Sequence, residues 1–235
     1  MTGSVRQSGR NSASKMPAWF KFGWKGDSSN PCLPKETPLD EVPFAVVDTE
    51  LTSLDSRSNR LLSIGAIAME GAKIRMAEQF YRVVNPGVAV PVQSVVIHKL
   101  RPSDVEQGTT PQQALAELRK FVEGRVLVGH FVRIDLNALR KELSDQQHEL
   151  RNPAIDTAQV HRWILRNGPW REDLVQQMEN VSLEALSKVY NLDFREAHHA
   201  LEDAFVTARL WQKLLAKLEL MKVTNLGDLL RIAKA

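Results

Sequence analysis

Residues 44–55 read FAVVDTELTSLD, an apolar run that ends by setting two carboxylates, Asp48 and Glu50, two positions apart. Phe44 to Val47 have the composition of a buried strand. Side chains alternate along a strand, so Asp48 and Glu50 share one face while Thr49 points to the other. Two carboxylates that close repel each other and raise one pKa unless a cation compensates. Taken alone, the pair reads first as a strand end that reaches solvent, where paired acids cost little. The rest of the chain decides between the two.

Pro43 precedes this first strand, 44–50, and two further strand patterns follow at LLSIGAIAM (61–69) and AEQFYRVVN (77–85). Their short polar or glycine-bearing links predict an antiparallel meander. Beyond them the grammar changes. TPQQALAELRKFVEG (110–124) has a Thr start, a proline one position in, Ala114, Leu115, Leu118 and Phe121 at helical spacing, and a closing Gly. It leads into a short buried strand, RVLVGH (125–130). A helix over 136–143, a strand over 153–157 and helices over 158–166 and 182–190 follow. ALEDAFVTARLWQKLLAKLEL (200–220) is a long helix, and TNLGDLLRIAKA supplies a final short one. Strand and helix in alternation predict a parallel half joined to the meander, an α/β mixed sheet flanked by helices. No internal repeat is visible.

A chain of 235 residues with 43% hydrophobic content can bury a sizeable core, and one globular domain with an appendage is expected. Nothing approaches a membrane-spanning apolar run, and no signal-peptide pattern is present. One cysteine, Cys32, cannot form an internal disulfide, and no Cys/His cluster has zinc-site spacing. A soluble protein of the reducing cytoplasm is expected. The net charge of +3 is uneven, because residues 1–26 carry five basic side chains and no acid, leaving 26 basic against 28 acidic residues in the remainder. Such a body does not coat nucleic acid non-specifically. The arm, with its patch AWFKFGWK, reads first as a solvated tail and second as a docking element; an organelle transit peptide is a weaker reading.

Two more carboxylates complete a set. Asp135 stands just after LVGH at the opening of a helix, and Asp203 lies one turn into the long helix that begins near His199. Either Asp alone is explained by the preference of acids for helix N-termini. Together with Asp48 and Glu50 they can converge at one edge of a sheet, which makes sense if hard divalent cations sit among the oxygens. His198, five residues before Asp203, falls on the loop feeding the helix. From there its imidazole can take a proton from an attacking water near neutral pH.

These segments resemble, in order, the motifs of the DEDD superfamily of 3′–5′ exonucleases. The likeness is to the histidine-bearing branch, which includes the epsilon proofreading subunit of bacterial DNA polymerase III and ribonuclease T. VVDTELTSLD is similar to its first motif, LVGHFVRIDLNAL to its second, and HHALEDAFVTARLW to its third. RLLSIGAIAM and DTAQVHRWI also resemble family segments, so the likeness runs over roughly residues 42–216. It implies a ribonuclease H-like fold, Asp48, Glu50, Asp135 and Asp203 as ligands of two Mg²⁺ or Mn²⁺ ions, and His198 as general base. His199 falls where relatives often carry Arg and is expected to be a neighbour of the base. The resemblance nominates His98, in VVIHKL, as a substrate contact, with a half-exposed helix histidine as the plain alternative. Leu51 and Thr52 are nominated for the 3′-terminal sugar and base. Phe131 replaces a usual Asn, Ser53 a Gly and Lys99 a Gly.

The organisation implied is a basic arm over 1–40, an exonuclease domain over 41–221 and a short helix or tail over 222–235. The expected substrate is a single-stranded or frayed 3′ end, DNA first and RNA also open. A polymerase subunit as partner, an inactive nucleic-acid-binding module and a homodimer are the alternatives left standing.

Overall fold

The computed structural model describes residues 33–53, 55, 57–90, 98–142, 150–169, 180–194 and 198–233. Most of the arm, including AWFKFGWK and Cys32, lies outside the described residues. Strands β1 (Pro43–Leu51), β2 (Leu61–Glu70) and β3 (Lys73–Val83) form the expected meander. Helices α1 (Pro102–Glu106) and α2 (Pro111–Val122) lead to β4 (Val126–Gly129), which pairs with β1 in parallel. Then come α3 (Arg133–Glu142), β5 (Ala154–Asp156), α4 (Thr157–Asn167), α5 (Leu183–Val189), α6 (Ala200–Leu220) and α7 (Leu226–Ile232). The sheet order is β3-β2-β1-β4-β5, three antiparallel strands followed by parallel ones, flanked by helices.

The two-residue period of β1 sorts the helices onto opposite faces. Phe44 and Val46 pack with the side chains of α4, α6 and α7, including Trp211, whose ring meets Phe44 edge-on at 5.5 Å. Ala45 and Val47 face the other way, onto α2 and α3 through Leu115, Leu118, Leu136 and Leu139. Both faces of the central strand are therefore buried, which is why its first half is continuously apolar. Among the described residues no helix is long and apolar enough to cross a membrane.

Three details depart from expectation. β3 starts at Lys73 rather than near 77, since an edge strand with only one hydrogen-bonded neighbour carries exposed polar residues that mask its period. α3 begins at Arg133, so Asp135 already sits in its first turn. α1 is five residues long, too short for its period to show in sequence. The C-terminal segment is tied in: Leu39 N–H donates to the Thr224 carbonyl, and Leu226, Leu229 and Ala233 join the core beneath α6.

α6 ends in a hydrogen-bonded cap. Val223 N–H donates to the Leu218 carbonyl at 3.0 Å and Lys222 N–H to that of Glu219 at 2.9 Å. This arrangement needs a left-handed residue, and Lys222 fills it at φ +64°.

Candidate active site

The site forms at the carboxyl end of β1. β4 pairs with β1 only over Phe44–Val46, so the last residues of β1 have no neighbour strand on that side. Thr49, on the face opposite Asp48 and Glu50, uses that freedom. Its amide and its hydroxyl both donate to Asp135 Oδ1, at 2.9 and 2.6 Å. Asp135 thus arrives from α3 on one face of the sheet, around the end of the strand. Asp203 arrives from α6 on the other face. Ligand oxygens of Asp48, Glu50 and Asp203 lie within 4.8 Å of one another. The four carboxylates named from sequence are brought together.

Gly65 makes the α6 side possible. It is the register partner of Asp48 on β2, and a Cβ there would overlap the backbone of Ala200 and Leu201 at the start of α6. Glycine lets helix and strand approach at the point where Asp203 must reach Asp48. At Glu50/Leu51 the β1–β2 register shifts, a bulge of the kind that re-aims side chains beside sites.

The electrostatics are those of crowded, desolvated acid. Burial, then the charges of Asp135, Asp203 and Glu50, push the Asp48 carboxyl well above the ordinary carboxylate range. Asp135 is raised to about 7, mainly by burial and against its Thr49 hydrogen bonds, and Asp203 to about 6, again mainly by burial. Among the described residues no lysine or arginine pairs with any of the four. Asp203 Oδ1 is buried without a hydrogen-bond partner while Oδ2 accepts from His198 N–H at 3.2 Å. An orphaned carboxylate oxygen in a carboxylate cluster that lacks a lysine or arginine partner among the described residues fits a hard divalent cation.

His198 stands on the loop before α6, exposed, at φ +89°. Its neighbour His199 stacks on Tyr81 of β3, with ring centroids 4.6 Å apart and 23° between planes. His98 lies in a turn rather than a helix, with 12% of its side chain exposed. Its ring is 6.1 Å from that of His198. Nε2 meets the Leu51 carbonyl at 2.9 Å, and Nδ1 lies against Glu50 Oε2. Burial pulls the His98 pKa down, yet the Glu50 hydrogen bond and charge, with the Leu51 carbonyl, hold it above the usual value.

The other nominated substrate contacts have structural partners as well. The Leu51 side chain is buried among Leu61, Ile64 and Phe80. The Thr52 hydroxyl accepts from Arg60 N–H at 2.9 Å, closing the β1–β2 connection. Phe131 (φ +53°) and Lys99 (φ +54°) occupy left-handed backbone, a conformation in which Asn and Gly are at ease and these two side chains are not.

Three contributors escaped the sequence reading. Thr49 and Gly65 hold Asp135 and α6. Asp156, at the end of β5, accepts from Ala158 N–H at 2.9 Å and Phe131 N–H at 3.3 Å, pinning the loop that leads to Asp135. Its place in IDTAQV, an Asp followed by a helical pattern, was a readable capping signal.

Comparison with known proteins agrees with this geometry. A family model described as exonuclease matches residues 45–211. A DNA polymerase III subunit epsilon-like protein of Rhodobacter capsulatus is 29% identical over 198 residues, 83% of this chain and 27% of that one. The DNA polymerase III subunit epsilon of Aquifex aeolicus is 26% identical over 192 residues, 81% of this chain and 89% of that one. The chain thus spans about a quarter of the Rhodobacter relative and nearly all of the Aquifex one. Escherichia coli exonuclease I, solved with a dT13 oligonucleotide, superposes with a TM-score of 0.64 at 17% identity, over 77% of this chain and 43% of that one. That likeness extends to the ribonuclease H-like mixed sheet. With the family match covering well over half its length, the chain belongs to the DEDD exonuclease family.

Proposed function

We propose that the chain is a metal-dependent 3′–5′ exonuclease that removes nucleoside 5′-monophosphates from single-stranded or frayed ends, DNA preferred. The observation that carries this reading is the convergence of Asp48, Glu50 and Asp203 within 4.8 Å, with Asp135 fixed to Thr49 and His198 beside Asp203. Asp48, Glu50, Asp135 and Asp203 would hold two Mg²⁺ or Mn²⁺ ions, which when bound stabilise charge on the attacking and leaving oxygens.

The chain's own residues supply the rest. Thr49 aims Asp135 by two hydrogen bonds, and the His198 N–H holds Asp203 Oδ2 at 3.2 Å. His198 Nδ1 or Nε2 accepts the proton of a water whose oxygen attacks phosphorus; the P–O3′ bond breaks, and the departing oxygen takes a proton to become the new 3′-hydroxyl. His98, tied to Glu50 and Leu51, would contact the terminal nucleotide, with Leu51 and Thr52 at the strand end. A terminal base must leave its stack to reach so enclosed a centre, which favours unpaired ends.

The names of the relatives favour one second reading, a proofreading subunit that works beside a polymerase. Incubation with 5′-labelled single-stranded DNA and RNA, each with a free or a phosphorylated 3′ end, separates these. A ladder that shortens from the free 3′ end without a polymerase supports the autonomous enzyme. Internal cuts, or immediate release of the 5′ label as a mononucleotide, contradict the proposed direction.

A further inference from the structure

Phe131 is the only exposed Phe, Tyr or Trp among the described residues, with 37% of its surface open. Its backbone is left-handed, a conformation that a bulky side chain disfavours. The turn from β4 into α3 sets that conformation. Val132 packs into the core, Ile134 N–H donates to the Phe131 carbonyl at 2.9 Å, and Phe131 N–H donates to Asp156 at 3.3 Å. The turn accounts for the backbone and not for the ring, because Asn or Gly would make the same turn with less strain. Ile134 is exposed too, at 45%, and so is Arg133 between them. An outward aromatic ring with an aliphatic and a cationic neighbour suits unpaired nucleic acid, whose bases stack on rings and whose phosphates pair with guanidinium groups.

Phe131 follows β4, which runs parallel to β1 with Val46 opposite Val128, so both strands end at the same edge of the sheet, about 4.8 Å apart. Asp48 and Glu50 lie at the end of β1, and Asp135 comes four residues after Phe131, in the first turn of α3. Leu51 and Thr52 stay bonded to β2, on the other side of β1. The carboxylates therefore stand between Phe131 and the residues given to the terminal nucleotide. We propose that Phe131 is a stacking platform for the base on the 5′ side of the scissile phosphate, flanked by Ile134, with Arg133 pairing to a phosphate of the strand. A base held in a duplex cannot lie on the ring, so the platform selects unpaired strands by contact. The place of that base relative to the cleaved bond rests on the proposed exonuclease function; the stacking itself rests on the exposed ring.

The test compares the full chain with its Phe131→Leu and Phe131→Tyr variants, each checked for fold by circular dichroism. Single-stranded DNA carries the fluorescent base 2-aminopurine at the terminal, penultimate or third position from the 3′ end, and is bound in EDTA so that it stays intact. Its emission at the penultimate position should be the same for wild type and Phe131→Tyr and should change in Phe131→Leu, while the terminal position is unaffected. Under Mg²⁺, Phe131→Leu should raise KM about fivefold or more with kcat within about twofold, and Phe131→Tyr should keep the wild-type KM. A merely structural role would instead lower Tm and kcat without any position-specific change in emission, and that result overturns the platform. So does a wild-type KM in Phe131→Leu with cleavage intact, which leaves the exonuclease standing. The position-specific signal in a protein that never cleaves would keep the platform and remove the exonuclease reading.

Discussion

Replacing Gly65 with alanine adds one methyl group where β2 passes beneath the first turn of α6. In an open strand the change would be mildly favourable, because it restricts the unfolded chain. Here the new Cβ overlaps the carbonyl carbon of Ala200 and the amide nitrogen of Leu201, backbone atoms that cannot rotate aside. Relief needs the start of α6 to lift by roughly 1 Å, and a displacement of that size at a reacting constellation costs about 100-fold in rate. The helix is anchored farther along by Trp211, Leu214 and Leu218, so the strain concentrates at His198 and Asp203. Overpacking of this kind costs about 1–3 kcal/mol. For a chain of this length each kcal/mol lowers Tm by about 2–4 °C. The assay pairs thermal unfolding by circular dichroism with single-turnover cleavage of a 5′-labelled oligonucleotide well below Tm. The expected outcome is a lower Tm together with a rate loss of about two orders of magnitude in protein that is still folded. Unchanged Tm and rate would refute the close approach of α6 to β2 as the device that sets Asp203 against Asp48.

Three further expectations follow from particular contacts. Thr49→Val keeps the shape of the side chain and removes the 2.6 Å hydrogen bond to Asp135. It should raise the Mn²⁺ concentration for half-maximal cleavage about 10–100-fold, and an unchanged metal requirement would contradict the orienting role. Lys222→Gly places glycine at the left-handed cap of α6, remote from the site, and should stabilise by about 0.5–1 kcal/mol in denaturant titration with cleavage unchanged. The raised carboxyls mean that, between the ordinary carboxylate range and about pH 7, the metal-free folded state binds more protons than the unfolded one and loses stability as pH rises through the folded values of about 6 for Asp203 and about 7 for Asp135. His130 and His161, lowered to about 4 mainly by burial, act in the opposite sense, losing stability as pH falls below about 6.5. The difference in Tm with and without Mg²⁺ isolates the carboxylates and should grow from pH 4.5 to 7; a constant difference would contradict their role as metal ligands.

What could be read from sequence was whatever a local pattern records. The two-residue period of β1 gave the face shared by Asp48 and Glu50, and helical periods placed Asp135 and Asp203 near helix starts. What escaped was set by contacts between distant segments. Thr49 is an ordinary strand threonine until Asp135, 86 residues on, reaches its amide. Gly65 in LLSIGAIAM looks like any strand glycine, and the overlap that requires it comes from Ala200, in a helix that begins far along the chain. His98 was nominated by likeness, yet its ties to Leu51 and Glu50 depend on how a turn folds back over the end of β1. The left-handed backbone at Phe131 and Lys99 went unread because neither side chain favours it.

On the proposed function, the carboxylates gathered at the end of β1 drive metal-dependent removal of 3′-terminal nucleotides. Its most direct test is the single-turnover rate on 5′-labelled single-stranded DNA across a Mn²⁺ titration, for the wild type and for Asp203→Asn, with folding of the variant verified by thermal unfolding. The wild-type rate should rise with Mn²⁺ and vanish in EDTA, and that of the variant should be lower by about 1000-fold or more at every metal concentration. Cleavage that persists in EDTA, or that Asp203→Asn leaves at the wild-type rate, would contradict it.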